Sequence, residues 1–355
     1  MKRVQELIKR SALAKDAGIL IHKPSNMFYL SGYTGEGLLV ITHETRAIVT
    51  DFRYVEQAQA QAPGWAVHAI TKDVNHAQLA NQLLQKDGVK TALFEDDEVT
   101  VRAAKSLGDA LSGITLSPLD NHPEALRQIK DEGEIALIAK ACEISSNAFE
   151  YICTIIKPGM SEVEIKRMLE NHMLENGADG IAFDTIVASG PNGSLPHAIA
   201  GDRKVQTGDM ITLDFGAKYK GYCADMTRTI SLGQPSDKML EVFNIVLKAQ
   251  KASQDALAPG KPCQEMDKIA RDIIADAGYG EYFGHGLGHA VGIDVHESPR
   301  LSIKSEDTLA AGHVVTVEPG IYLPGVGGVR IENSCVITKD GARSLVAADR
   351  ELRIL

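Results

Sequence analysis

The chain of 355 residues is longer than a typical single domain, which favours two domains. Its hydrophobic content of 44% and charged content of 24% are those of a globular protein with a sizeable core. The net charge of −10 argues against nucleic acid as a partner, because binding to a polyanion normally requires a basic face.

The cysteines and the apolar segments indicate the cellular compartment in which we expect the protein. The five cysteines are scattered, without the Cys-x-x-Cys pairs of a zinc ribbon or the framework of a disulfide-rich domain. The amino-terminal segment is charged and amphipathic rather than a signal peptide, and no run approaches the roughly 20 apolar residues of a membrane helix. We therefore expect reduced thiols, a cytoplasmic location and no membrane partner.

The first third of the sequence alternates helical and strand patterns. Helical spacing covers residues 4–14, GILIHK predicts a strand, and LLVITHETRAIVTD (residues 38–51) predicts a hairpin. WAVHAI and KTALFE are typical of further strands between helical segments. This alternation predicts an α/β domain over residues 1–122, which ends where prolines interrupt the pattern.

The remainder, residues 123–355, predicts an α+β domain. Ser161 and Glu164 form a capping box, Gly177 is a helix stop, and Ser236 is an N-cap. Strands separated by glycine turns are predicted in DTIVASG, DMITLDFG, HVVTVEPGIYL and GVRIENSC. Helices are predicted over residues 132–156, 161–177, 236–257 and 264–277.

Carboxylates interrupt the apolar strand patterns of this second domain. A single acid usually lies on the solvated face of its strand, but an unpaired carboxylate in a core is costly. Four of them predict a place where like charges meet a cation, a shared proton or catalytic work. With one histidine, four carboxylates suit two divalent ions about 3.5–4 Å apart, two of the acids bridging. The four are Asp214 in MITLDFG, Asp225 in CADMT, Glu318 in VVTVEPG and Glu332 in VRIENSC.

Histidines cluster in the same domain. His285, His289 and His296 lie within GHGLGHAVGIDVHE, and His197 lies on the loop SGPNGSLPHAIAG, a common position for catalytic groups. The glycines and the missing glutamate argue against the helical H-E-x-x-H motif, and G-x-G-x-x-G is not matched. We interpret the glycines as allowing close backbone approach, so that histidine side chains converge beneath a substrate. The other histidines are predicted to be surface or packing residues: His22, His43, His68, His76, His122, His172 and His313.

Four pieces, in this order, carry a family resemblance: LDFGAKYKGYCADMTRT, GHGLGHAVGIDVHESP, TVEPGIY and GVRIEN. They resemble the pita-bread metallopeptidases, which include prolidase, aminopeptidase P and methionine aminopeptidase. The resemblance extends from about residue 127 to the carboxyl terminus, with a looser match of MFYLSGYTGEG in the first domain. It implies an α+β pita-bread catalytic domain preceded by a smaller creatinase/prolidase-type α/β domain. Because that domain mediates dimerisation in relatives and shapes their substrate entrance, a homodimer is expected.

The resemblance also implies five ligands for two divalent ions per subunit. The residue at Asp214 binds one ion, those at Asp225 and Glu332 bridge, and those at His289 and Glu318 complete the other ion. Mn²⁺ or Co²⁺ is favoured and Zn²⁺ or Fe²⁺ is the alternative, since sites of carboxylates and imidazole accept several metals. No ligand is replaced, which argues against a metal-free, creatinase-like hydrolase and against a non-catalytic binding module.

Further roles follow from the same resemblance. Two ions lower the pKa of a bridging water, and the hydroxide attacks a peptide carbonyl, with Glu318 as proton shuttle. His197 and His296 match histidines that contact the substrate and stabilise the tetrahedral intermediate. His285 matches a histidine near the substrate pocket, and Arg330 is expected to hold the carboxylate ligands from behind.

The substrate class follows from the layout of the motifs. Two domains and the close spacing of EPG and RIEN are similar to the proline-directed branch, which cleaves between an N-terminal residue and a following proline. Arg300 in HESPR matches an arginine proposed to hold the carboxylate of a dipeptide, which a guanidinium suits, although a surface arginine is an equal alternative. The prediction is an Xaa-Pro dipeptidase acting on proline-containing dipeptides. The alternative is an Xaa-Pro aminopeptidase acting on longer peptides.

Overall fold

A mixed β-sheet organises the first of the two units into which the chain divides. The computed structural model describes residues 2–355, and the division falls between Arg127 and Gln128. The sheet contains β1 (Ala17–Ile21), β2 (Leu38–Ile41), β3 (Arg46–Thr50), β4 (Ala66–Ala69), β5 (Thr91–Phe94) and β6 (Thr115–Pro118). Its order is β4-β3-β2-β1-β5-β6, with β2 antiparallel to β1 and β3 and the other neighbours parallel. The predicted hairpin is thus confirmed as the β2–β3 pair.

Helices alternate with these strands, as predicted. The first helix ends at Arg10, before the predicted end, because the chain turns at Ala12, whose φ is +46°. The last stays with this unit, since the Arg127 guanidinium donates to Ser25 Oγ at 2.9 Å and to Asn26 Oδ1 at 2.8 Å. The sequence pattern predicts that the first domain ends at residue 122. The division in the structure lies five residues later, after Arg127. The helices are α1 (Lys2–Arg10), α2 (Pro24–Ser31), α3 (Val55–Gln61), α4 (His76–Lys86), α5 (Val101–Ala110) and α6 (His122–Arg127).

The helices of the second unit begin at the predicted caps. Ser161 and Glu164 form the predicted capping box, and the Ser236 side chain accepts from the amide of Met239. Gly177 follows the end of its helix with φ of +97°, a conformation that glycine adopts without strain. The helices are α7 (Glu132–Cys153), α8 (Glu162–Glu175), α9 (Asp237–Asp255) and α10 (Cys263–Asp276).

Short antiparallel sheets complete the second unit. Its strands are β7 (Gly180–Ile181), β8 (Ile186–Ser189), β9 (Met210–Phe215), β10 (Ala217–Tyr219), β11 (Tyr222–Cys223), β12 (Met226–Ser231), β13 (Gly288–Ala290), β14 (Glu297–Leu301), β15 (Val314–Val317), β16 (Gly320–Leu323), β17 (Gly327–Arg330), β18 (Asn333–Ile337) and β19 (Ala342–Ser344). The sheet orders are β12-β9-β8, β14-β13-β15-β18-β19, β11-β10-β7 and β16-β17. This mixture of helices and antiparallel strands is the predicted α+β class.

An apolar core holds the strands of the second unit in place. Val246 of α9 and Ile274 of α10 are fully buried with Val317 of β15 and Val329 of β17. Burying one such side chain stabilises the fold by about 1.5–3 kcal/mol. Because α9 packs on β15, β16 and β17, and α10 packs on α9 and β14, the polar residues at the strand ends keep fixed positions.

The predictions about the cysteines and about membrane helices can be compared with the structure. Each of the five cysteines is a free thiol. Among residues 2–355, no helix combines the length and the apolar character that crossing a bilayer requires.

His313 is a buried packing histidine, as predicted, and makes stability depend on pH. Its Nδ1 accepts a hydrogen bond from the amide of Ala310 at 3.2 Å. Burial, and then the charge of Lys130, lowers its pKa from 6.5 to about 4. A histidine with a lowered folded-state pKa contributes stability that is complete above pH 6.5 and is lost as the pH falls through 4. The loss amounts to about 2 kcal/mol once solvent screening is allowed for.

We expect His313→Asn to flatten this acid limb, because the asparagine oxygen can accept the same Ala310 hydrogen bond but does not titrate. Urea unfolding at pH 7.5 and pH 4.5 should show a loss of stability that is smaller than in the wild type by about 1–2 kcal/mol. His43→Asn, which changes an exposed histidine, is the matched control and should keep the wild-type loss. Equal losses in the wild type and His313→Asn would contradict the prediction.

Candidate metal centre and active site

The four carboxylates singled out in the sequence line one cavity of about 410 Å³ in the second unit. Asp214 lies in β9, and Asp225 immediately precedes β12, its antiparallel neighbour. The β15–β18 register pairs Val317 with Asn333. Glu318 and Glu332, the next residue on each side, therefore leave these strands together. The sequence pattern predicts that Glu332 lies inside a strand. This is wrong, because Glu332 lies between the end of β17 and the start of β18.

His289 joins the carboxylates from β13. Its Nε2 lies 3.6 Å from Asp225 Oδ2 and 3.3 Å from Glu318 Oε1. Its Nδ1 lies 3.1 Å from the Ala290 carbonyl oxygen, which can only accept a hydrogen bond. Nδ1 therefore carries the proton in the neutral ring, and the Nε2 lone pair faces the carboxylates. This is the orientation that a metal-binding imidazole needs.

One of the glycines beside His289, Gly288, is required by close contact between two strands. A Cβ at this position would lie 2.2 Å from the Thr316 carbonyl oxygen of the neighbouring strand. Only glycine therefore lets β13 approach β15 closely enough to place His289. The sequence pattern predicts that the glycines allow close approach of the backbone beneath a substrate. At Gly288 the close approach is between β13 and the neighbouring strand β15. The His285–His289 segment is not helical, as predicted.

The donor set fits a divalent cation. Asp225, His289 and Glu332 each offer one ligand atom, and these atoms lie within 4.8 Å of one another. Asp214 Oδ1 and Glu332 Oε1 are buried and have no hydrogen-bond partner among the described residues. Buried polar atoms are normally paired, so these oxygens lack the partner that a cation would supply. Carboxylate oxygens with one imidazole suit divalent metals rather than a thiolate-type zinc site.

The pKa values of the four carboxylates also favour a bound cation. Burial, followed by repulsion from neighbouring carboxylates, raises the pKa of Asp225 and of Glu332 well above the usual range. Burial also raises the pKa of Asp214, against the opposing charge of Arg330. Burial opposes ionisation of Glu318, but a hydrogen bond with His289 and the positive charges around the carboxylate, that of Arg330 among them, together outweigh burial and lower its pKa to about 2. A cation would relieve the repulsion among these acids.

Arg330 forms hydrogen bonds that hold the carboxylates, the role that the family resemblance implies for it. Its Nη2 donates to Asp214 Oδ2 at 2.5 Å. Its Nε donates to Thr227 Oγ1 at 3.1 Å, and that hydroxyl donates to Glu332 Oε2 at 2.7 Å. One guanidinium therefore orients two carboxylates, one of them through a threonine.

His285 does not contact the carboxylates directly in this structure. Its Nδ1 lies 2.8 Å from the Gly286 carbonyl oxygen, and its Nε2 lies 2.9 Å from the Tyr322 hydroxyl. The same hydroxyl accepts from Arg330 Nη1 at 2.8 Å. His285 is therefore linked to Asp214 through Tyr322 and Arg330. Burial lowers its pKa, so the ring is held neutral.

The remaining predicted residues face the same cavity. His197 is exposed and lines it, and His296 packs edge-on against His289 with ring centroids 4.4 Å apart. Burial lowers the pKa of His296, followed by the charge of His289. Arg300 is exposed on β14, opposite His289 in the strand register, and also lines the cavity.

Sequence reasoning missed the hydroxyl groups of the site. Tyr322 lies in GIYL and reads as an apolar core residue, yet it links His285 to Arg330. Thr227 and Thr316 donate to Glu332 and Glu318 at 2.7 and 3.1 Å. Their position in the sequence could have indicated them, because each of these residues lies within four positions of a predicted ligand.

Comparison with known proteins accounts for nearly the whole chain. Metallopeptidase family M24 matches residues 136–339, and the creatinase/prolidase N-terminal domain matches residues 2–129. The Xaa-Pro dipeptidase of Pyrococcus horikoshii is 38% identical over 360 residues, which cover 99% of this chain and 98% of that protein.

Solved structures agree with this assignment. An Xaa-Pro dipeptidase from Bacillus anthracis is 40% identical, with a TM-score of 0.96 over 100% of this chain and 99% of that one. An X-Pro aminopeptidase from Thermotoga maritima is 37% identical, with a TM-score of 0.91 over 98% of this chain and 100% of that one. The predicted order of a creatinase-type domain and a pita-bread domain is confirmed. The chain therefore belongs to metallopeptidase family M24 and is a hydrolase.

Proposed function

We propose that the protein is a dinuclear-metal Xaa-Pro dipeptidase, which cleaves the bond between an N-terminal residue and a following proline. The observation that carries this proposal is the convergence of four carboxylates and one imidazole on a single cavity, with buried oxygens left unpaired. The printed names of the dipeptidase relatives support the substrate class. The homodimer, the cytoplasmic location and the preference for Mn²⁺ or Co²⁺ stay predictions.

The proposed ligands are the residues predicted from the sequence. When bound, the two ions would supply a nucleophilic water near neutral pH and polarise the scissile carbonyl. The chain itself orients the ligand oxygens through Thr227, Thr316 and Arg330. The ligands are Asp214, Asp225, His289, Glu318 and Glu332.

The other side chains would act on the substrate. Glu318 would accept a proton from the attacking water and deliver it to the proline nitrogen, which must be protonated to leave. His197 and His296 would donate hydrogen bonds to the oxygen that becomes negative in the transition state. Tyr322 would hold His285 in one orientation at the cavity wall.

Arg300 distinguishes the dipeptidase from its main alternative. Its guanidinium is exposed at the cavity, where it could bind the terminal carboxylate of a dipeptide. An aminopeptidase that accepts longer peptides would not need this contact. Similarity to the X-Pro aminopeptidase of Thermotoga maritima keeps that alternative as the second candidate.

We expect Arg300→Ala to lower kcat/KM for an Xaa-Pro dipeptide by about 10- to 100-fold, the value of one hydrogen bond between charged groups. The C-terminal amide of the same dipeptide should be hydrolysed poorly by the wild type and should lose less than about 3-fold in the variant. The measurement is hydrolysis of Leu-Pro, Leu-Pro-amide and Leu-Pro-Gly by chelator-treated enzyme resupplied with Mn²⁺ or Co²⁺.

Arg343→Ala, which removes an exposed arginine from β19, is the matched control and should leave all three rates unchanged. Equal losses on the acid and the amide would remove Arg300 from carboxylate binding. Faster turnover of Leu-Pro-Gly than of Leu-Pro would favour the aminopeptidase. No turnover of any Xaa-Pro peptide with either metal would overturn the proposed function.

A further inference from the structure

Glu162, the first residue of α8, is a fully buried carboxylate outside the proposed metal site. Its Oε1 accepts from the Ser189 amide at 2.8 Å and from Ser189 Oγ at 2.7 Å. Its two oxygens accept from Asn192 Nδ2 at 3.1 and 3.0 Å, and Oε2 accepts from the Gly201 amide at 3.3 Å. These donors are neutral groups and belong to one segment of the chain.

That segment is the His197 loop, defined here as residues 189–203. Glu162 contacts its beginning through Ser189 and Asn192 and its end through Gly201. The backbone of α8 adds two ties at the same end: the Glu162 amide donates to the Arg203 carbonyl at 3.1 Å, and the Val163 amide donates to the Gly201 carbonyl at 3.1 Å. One carboxylate therefore closes the loop at both ends.

The larger apolar side chains at the tip of the His197 loop are exposed, and only the small Ala198 is buried there. Leu195 is 57% exposed and Ile199 is 90% exposed, one on each side of His197. Apolar side chains that stay in solvent cannot anchor a loop through burial. The position of His197 therefore depends on the hydrogen bonds at the base of the loop. Five of these end on the Glu162 carboxylate, and Arg203 Nη1 adds another by donating to Ser189 Oγ at 2.5 Å.

The loop also reaches the carboxylate cluster. The Pro196 carbonyl accepts from Arg330 Nη1 at 3.3 Å, and the same guanidinium donates to Asp214. His197 lines the cavity together with the proposed ligands. A shift of the loop would thus move a substrate-facing histidine and loosen one contact of Arg330.

We propose that Glu162 is a positioning residue that holds His197 over the reacting centre by clamping both ends of the His197 loop. The proposal rests on the function proposed above for its effect on catalysis, but the clamp itself does not. A neutral glutamine cannot replace the carboxylate, because its amide NH₂ would face a ring of donors. Misplacement of a reacting group by about 1 Å can cost about 100-fold in rate.

The catalytic test is a double-mutant cycle between Glu162→Gln and His197→Ala, with Leu-Pro as substrate and metal resupplied. Glu162→Gln is expected to lower kcat by about 10- to 100-fold and to change KM by less than about 3-fold. In the His197→Ala background the same substitution should lower kcat by less than about 3-fold, since the side chain to be positioned is absent. Equal losses in both backgrounds, or a change confined to KM, would overturn the proposal.

A second readout does not depend on activity. Hydrogen exchange on the metal-free protein should show the hydrogen-bonded amides of Leu195 and Ala198 exchanging at least about 10-fold faster in Glu162→Gln than in the wild type, with α9 and α10 unchanged. Unchanged exchange in this segment would overturn the clamp. Faster exchange together with a wild type that hydrolyses no Xaa-Pro peptide would overturn the proposed function and leave the clamp standing.

Two further variants control for folding. Glu132→Gln changes the first residue of α7, the same helical position as Glu162 but exposed, and should leave both kcat and loop exchange at wild-type values. Asn192→Ala removes part of the clamp without placing a donor against donors. If Glu162→Gln does not fold, Asn192→Ala should show about a 3- to 10-fold loss of kcat that disappears with His197→Ala. A loss that persists there would overturn the proposal.

Discussion

Asp225→Asn is expected to lower Xaa-Pro hydrolysis by at least about 1,000-fold, which corresponds to about 4 kcal/mol of transition-state stabilisation. Asp225 is 5% exposed and shares a ligand-atom cluster with His289 and Glu332. The amide keeps the shape of the side chain but removes the charge that would hold a cation. Metal content after dialysis, measured beside kcat/KM, should fall with activity.

Asp184→Asn is the control for this experiment. Asp184 lines the same cavity, but its side chain is 99% exposed and forms a surface ion pair with Lys166. Its substitution should change activity by only a few-fold, because a solvated carboxylate of this kind contributes little. Metal stabilises a protein when it binds the folded state alone, so added Mn²⁺ should raise the unfolding temperature of Asp184→Asn and not that of Asp225→Asn. Full activity in Asp225→Asn would refute the ligand assignment.

Arg228→Met is expected to lower the free energy of unfolding by about 3–5 kcal/mol. Arg228 is 2% exposed, and burial lowers its pKa to about 10. Methionine can fill much of the volume but leaves buried carbonyls without donors. The guanidinium donates to the backbone carbonyls of Thr227, Glu332, Ala348 and Asp349 and to Asn333 Oδ1, at 2.5–2.8 Å.

These contacts make Arg228 a link between the site and the end of the chain. They join β12 to the backbone of Glu332 and to the segment at Ala348 and Asp349. Urea unfolding should show the loss of stability, with Arg343→Met as the exposed control, which should change stability by less than about 0.5 kcal/mol. A loss of under about 1 kcal/mol in Arg228→Met would show that the orphaned carbonyls find other donors.

Much of the architecture could be predicted because its causes are local. The capping box of Ser161 and Glu164 and the N-cap at Ser236 use hydrogen bonds within a single helical turn. The four carboxylates were identifiable because charge among β-formers conflicts with burial, and that conflict can be read without a fold. His289 could be separated from His285 and His296 only through the family resemblance.

The register of distant strands decided the rest. Thr227 meets Glu332 and Arg330 meets Asp214 across more than 100 residues, and local sequence carries no record of these pairings. Tyr322 therefore resembled a core residue, and Glu162 resembled an ordinary acid in a first helical turn. The sequence alone determined the four helices of the second unit, the caps at Ser161 and Ser236, the α/β and α+β character of the two units and the acids that require a site. Only the tertiary structure decided which donor each buried polar atom meets, because that depends on how distant strands and loops pack together.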